Sequence, residues 1–193
     1  MASGTPSGGG LLGTYVVDIV AMLMAIPIVI FPALATEVFH QPAMLGLLYS
    51  AESVGSLLVT ATSGWTSHVH RHGRAVVISA IVWGGSIGLV GLAPNVWWAL
   101  LALVAAGAGD MVSGIFRSTI WNQTIPDSMR GRLAGIEMLS YSLGPLGGQA
   151  RSGLVADAWS VRGAIASGGI LCVGGGADDL ALAGLLVVRR PHR

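Results

Sequence analysis

Several ionisable residues lie inside stretches of this chain that are otherwise strongly apolar. Asp18, Glu52, Asp110 and Glu137 each fall within a hydrophobic run, and Arg117 follows Asp110 by seven positions, two turns along one helical face. A charge near the middle of a bilayer costs at least ~2.5–3.5 kcal/mol, so each such residue needs a partner, a proton or a water-filled cavity. The chemistry open to them is reversible protonation and the binding of charge on a passing solute. The plainer reading is a structural ion pair, or a helix end that reaches the interface. Asp110 and Glu52 sit deepest in their stretches and suit the first reading best. Asp18 and Glu137 lie nearer one surface. Arg117 is also close to that surface, where it can snorkel or pair with Glu137.

The composition sets the solvent for this chemistry. The chain has 193 residues, of which 53% are hydrophobic and 10% charged, with a mean hydropathy of +0.73. Soluble domains carry about 25% charged residues, so this balance belongs to lipid. The 29 glycines show no collagen-like period; in membrane helices they let backbones approach closely. Net charge is +1, which does not point to nucleic acid as a partner, and all ten basic residues are arginine. Cys172 is the one cysteine, so neither a disulfide framework nor a thiolate metal site is expected. His68, His70 and His72 alternate in a basic loop without carboxylates and read as solvated. No metal and no cofactor are expected.

A helix needs roughly 20 apolar residues to cross the hydrocarbon. Six stretches meet or approach that length: about 14–38, 43–65, 75–92, 96–120, 133–159 and 163–188. The predicted fold is therefore an all-α membrane protein with six transmembrane helices over residues 14–190. Residues 1–13 read as a flexible linker and 191–193 as a tail. Arg71, Arg74, Arg130, Arg132, Arg189, Arg190 and Arg193 fall on one side of the membrane, and only Arg162 falls in the opposite loops. By the positive-inside rule both termini are cytoplasmic. Pro27 and Pro32 interrupt the first helix, and Pro145 interrupts the fifth within a Gly144-Pro145-Leu146-Gly147-Gly148 break. Each removes a backbone hydrogen bond and offers a bend that alternating access can use. The spacing of Gly144 and Gly148, and the run Gly84, Gly85 and Gly88, predict close helix contacts.

The loops carry a resemblance. Pro126-Asp127-Ser128-Met129-Arg130-Gly131-Arg132 resembles the loop between helices ten and eleven of major facilitator superfamily (MFS) transporters. The other basic loop is similar to that superfamily's cytoplasmic signature: Arg71, Gly73 and Arg74 match its end, while His70 stands where the family has aspartate. The Gly144 to Gly148 element resembles the Gly-Pro-x-x-Gly-Gly of the family's exporters, which belongs to helix five, the repeat mate of helix eleven. Residues 14–190 thus resemble helices seven to twelve, one half-bundle of that fold. The branch most resembled is that of enterobactin exporters and drug-efflux proteins.

The resemblance implies a secondary transporter in a bacterial inner membrane, expelling a small organic molecule such as a drug or siderophore, coupled to protons. It implies that the chain works with a missing amino-terminal half or a second copy. The other reading is a non-transporting membrane subunit or an inactive gene fragment. A membrane-embedded serine protease would need serine and histidine facing each other within the bilayer. His40, His68, His70, His72 and His192 all fall in loops or the tail, so no enzyme is expected. The Gly84-Gly85-Ser86-Ile87-Gly88 match to a hydrolase elbow lies inside a predicted membrane helix and lacks the strand-turn-helix context.

Overall fold

The computed structural model describes residues 28–69, 72–124 and 127–188. Asp18, Pro27, Arg71, Pro126, the linker 1–13 and the tail 191–193 lie outside the described residues. Six helical elements follow one another: α1 (Ile28–Val38), α2 (Pro42–Ala61), α3 (His72–Leu92), α4 (Val96–Thr124), α5 (Asp127–Ala158) and α6 (Val161–Val188). A 3-10 turn at Ser63–His68 follows α2. Among the described residues α2, α3 and Val96–Ile120 of α4 are long and apolar enough to cross a membrane. The protein is an all-α membrane protein.

Local chemistry sets the turns. Asn95 caps α4 by accepting from the Trp98 amide at 3.2 Å, and Ser160 caps α6 by accepting from the Gly163 amide at 3.0 Å. Both satisfy amides that have no partner within their own helix. His40 closes α1 at a φ of 54°, the left-handed region, and its Nδ1 lies 3.1 Å from the Thr36 carbonyl. The chain can then reverse into Pro42 within two residues. Pro32 leaves α1 irregular: a 3-10 turn, one short α segment, then a π stretch over Leu34–Val38. Proline cannot donate to the ladder, and the wider turn absorbs the mismatch.

Three sequence expectations need correction. The basic loop before α3 is shorter than expected, because Gly73 and Arg74 already lie in the first turn of α3. The arginine-rich turn before α5 is mostly helix: the helix starts at Asp127, so Arg130, Gly131 and Arg132 occupy its opening turns. An acidic residue at a helix start is favoured by the helix dipole. A helix can also run beyond the hydrocarbon, so polar residues need not mark its end. Pro145, finally, does not break α5, which continues through it from Asp127 to Ala158. One lost hydrogen bond is tolerated where neighbouring helices pack around the site, and Gly144 and Gly148 beside it are buried.

Glycines bring the helices together in two tight pairs. In the first, α2 crosses α4, and a methyl on Gly55 would overlap the Val104 carbonyl while one on Gly107 would overlap the Glu52 carbonyl. In the second, α3 runs antiparallel to α6, with Gly84 against Cys172, Gly88 against Gly169, and Gly91 against Ala166. Gly109 then seats α4 on α3, where a methyl would come within 3.1 Å of the Ser79 carbonyl. These contacts replace the hydrophobic drive that lipid cannot supply. α5 flanks α6, where the Arg151 guanidinium donates to the Ser167 hydroxyl at 3.1 Å.

The continuous core lies toward the end of the bundle that holds the 93–95 and 159–160 turns. Phe31, Leu34, Leu48, Ile87, Val96, Leu103 and Ile165 are fully buried there. Trp97, Trp98 and Trp159 stand exposed at the same end, as an interfacial belt requires. At the other end Phe116 is buried between Trp65 and His72, with ring centroids 6.2 Å and 5.6 Å away. From Trp97 to Phe116 the helix rises about 28 Å, close to the hydrocarbon thickness. Leu57, Leu89, Leu92, Leu101 and Ile170 remain exposed, an arrangement suited to acyl chains and not to water.

Candidate functional site

Two of the charged residues singled out by the sequence are brought together across the α2–α4 crossing. Glu52 sits at the crossing itself, where its own Cα, carbonyl carbon and oxygen fill the space that a side chain on Gly107 would need. Ser56, one turn later, shares its hydroxyl between the Glu52 carbonyl in its own helix and the Gly107 carbonyl across the interface, each at 3.1 Å. Asp110 follows Gly107 by three residues and so stands on the neighbouring turn of α4.

Arg117 completes the group from two turns further along α4. Its Nη2 lies 4.0 Å from Asp110 Oδ1, and its side chain is 11% exposed against 57% for Asp110. The i, i+7 spacing on one face allows this geometry. The pair is long and half open, so its contribution to stability is small, about 1 kcal/mol or less. Asp110, near the middle of its helix, is left exposed by this chain. The helices described here leave its face uncovered, while the stem of Arg117 is packed away.

Other candidates are placed differently. Glu137 lies ten residues into α5, and Arg130 and Arg132 lie near the start of that helix. Gly73 and Arg74 are exposed at the start of α3, away from the acidic pair. Pro32 is exposed in α1, and Pro145 is half-buried in α5. Neither belongs to the α2–α4 crossing. Sequence reasoning overlooked Ser56, whose hydroxyl ties the two acidic helices together. The signal available was an acid with small residues one turn away on each helix, Glu52-x-x-Gly55-Ser56 and Gly107-x-Gly109-Asp110.

The arrangement is that of a membrane bundle with ionisable groups gathered where two glycine-packed helices cross. The profile of the Major Facilitator Superfamily matches residues 16–193. The chain belongs to the major facilitator superfamily. Its relatives in that superfamily include the enterobactin exporter EntS of Escherichia coli O81 (strain ED1a), 31% identical over 176 residues, covering 90% of this chain and 41% of that protein. The enterobactin exporter EntS of Shigella flexneri is 32% identical over 149 residues, covering 76% of this chain and 36% of that one. No solved structure matches. This superfamily member therefore spans about two fifths of the length of the curated relatives it matches. It is a multi-pass membrane protein of a transporter family.

Proposed function

We propose that the chain forms one six-helix half of a secondary transporter that exports a small organic molecule, of the siderophore or drug type, coupled to protons. The observation that carries this reading is the Glu52–Asp110–Arg117 group at the α2–α4 crossing, with Asp110 open on one side. Acids within membrane helices commonly mark proton and substrate paths. In this reading Glu52 and Asp110 take up and release the coupling proton, and Arg117 holds Asp110 charged when the proton has left. Asp18, Glu137 and the prolines Pro27, Pro32 and Pro145 are secondary candidates for the same path and its gating. The uncovered face of Asp110 then looks into a cavity closed by a second six-helix unit, either an amino-terminal half or another copy, with binding near the midplane. The names of the relatives support export, and their greater length supports a second unit.

The deciding experiment is flux in proteoliposomes under an imposed proton gradient, with a siderophore and a cationic dye as cargoes. The 193-residue chain alone is expected to give no flux, and the chain with a second six-helix unit is expected to give gradient-dependent flux. Cross-linked monomers that transport by themselves would overturn the two-unit reading. If the combined protein carries neither cargo nor protons, the non-transporting subunit is the better account.

We further propose that both termini are cytoplasmic in a bacterial inner membrane, from the arginine bias of seven residues against one. Reporter fusions after Val69 and at Arg193 are expected to read cytoplasm, and a fusion after Asn95 the periplasm. A cytoplasmic reading at Asn95 would reject this orientation.

A further inference from the structure

We infer that Gly107 and Ser56 are positioning residues for the Glu52–Asp110 carboxylates, setting the reach between the two side chains through the backbone contact at which α2 and α4 cross. The inference rests on the reading that this pair carries the coupling proton, and the experiment below tests it separately.

The geometry is that of a short lever. Glu52 does not merely lie near the crossing: its own backbone is the surface that Gly107 packs against. Any group added at Gly107 must displace Glu52 itself. Asp110 is one turn away on the helix that would be pushed, so the separation of the two carboxylates changes with the crossing distance. Ser56 fixes the other coordinate. Its hydroxyl, held at 3.1 Å from both the Glu52 and the Gly107 carbonyls, resists sliding of one helix along the other. Gly55 closes the contact from the α2 side, where a methyl would overlap the Val104 carbonyl. Interaction between two charges falls off with distance and is strongest in poorly solvated surroundings, so a small displacement changes how far one carboxyl senses the other.

The second glycine-packed pair supplies a control with a milder backbone clash. A methyl on Gly91 would meet the Ala166 amide at 2.7 Å and the Arg162 carbonyl at 2.8 Å, also backbone atoms that cannot rotate away. No carboxylate of the acidic pair lies on α3 or α6. A purely structural role would destabilise both variants, Gly107→Ala more than Gly91→Ala, and would leave the carboxylate coupling of the folded chain untouched in each.

The test reads coupling in the purified 193-residue chain, in nanodiscs of phosphatidylethanolamine and phosphatidylglycerol. A hydrophobic carbodiimide modifies protonated carboxyls, and peptide mass spectrometry follows its rate at Asp110 alone. In the parent chain Glu52→Gln is expected to change that rate by about fivefold or more. In a Gly107→Ala background the same substitution is expected to change it less than twofold, and in a Gly91→Ala background the full effect should persist. Retention of the full effect in Gly107→Ala, or its loss in Gly91→Ala, would overturn the inference, as would the absence of any effect in the parent chain. Should Gly107→Ala not insert, Ser56→Ala and Ser56→Thr decide the matter. The threonine keeps the hydroxyl and should keep the coupling that alanine weakens, whereas equal behaviour of the two rejects the role of Ser56. Labelling as expected with flux untouched by Asp110→Asn would leave the positioning role standing and remove the proton-carrying one.

Discussion

Asp110→Asn is expected to reduce gradient-driven export at least tenfold in the transporter reconstituted with its second six-helix unit, while insertion and abundance stay near those of the parent. Asparagine keeps the size of the side chain and loses the titratable oxygen. Asp110 is 57% exposed and its contact to Arg117 is 4.0 Å, so little stability is at stake, about 1 kcal/mol or less. A loss of transport much larger than the loss of folded protein would therefore report on chemistry. The opposite pattern is equally readable. If the residue serves only to neutralise Arg117, which is 11% exposed, abundance should fall and the surviving protein should transport normally, because weakening the pairing of a buried cation is destabilising. Full flux at full abundance would remove Asp110 from the path altogether. Glu52→Gln belongs beside it. If the two acids share one proton, either substitution alone should lower export severely, and the double variant should add little.

A large structural effect is expected at Gly169. A Cβ there would overlap the Gly88 amide and Cα and come within 2.6 Å of the Gly84 carbonyl, all of it backbone. Gly169→Leu should separate α3 from α6 and cost about 3 kcal/mol, at the upper end for overpacking. Folded protein should become scarce, and the midpoint of unfolding in denaturing detergent should fall. Gly174→Ala, five residues further along α6, faces nothing within 4 Å. It should be neutral or slightly stabilising, since alanine favours a helix by up to ~1 kcal/mol. Equal loss in both variants would mean that helix conformation, and not the α3–α6 contact, sets stability here.

The helices were legible in the sequence because lipid imposes a simple code of apolar length broken by short turns. Asn95 and Ser160 mark the beginnings of α4 and α6 in the sequence and cap them in the structure. What failed was the rule that charge marks a loop. Arg74 and Arg130 belong to helices that run on into the polar zone, where a long arginine stem is at no disadvantage. The acidic site was half legible. A charge inside an apolar run announces Glu52 and Asp110 singly, but nothing local tells that residues 52 and 107 touch, since a crossing between helices is a tertiary event. The side on which Asp110 faces was equally hidden. Periodicity shows a face only when one side of a helix is polar, and in lipid both sides can be apolar.

The interleaving of the two glycine-packed pairs has a consequence for how the chain is made. α2 finds its partner in α4 and α3 finds its partner in α6, so neither contact joins neighbours in the chain. A ribosome delivers α2 well before α4, and for that interval Glu52 has neither the Gly107 backbone beside it nor Asp110 and Arg117 near it. The insertion machinery, or a bound proton, must shelter that carboxyl until residue 124 has emerged. Nascent chains halted at residue 95 should therefore keep α2 within cross-linking reach of the insertase, and chains halted beyond α4 should release it. Release at both lengths would show that Glu52 enters lipid unaided. Biogenesis, on this view, is a matter of timing: the site exists only after its fourth helix arrives.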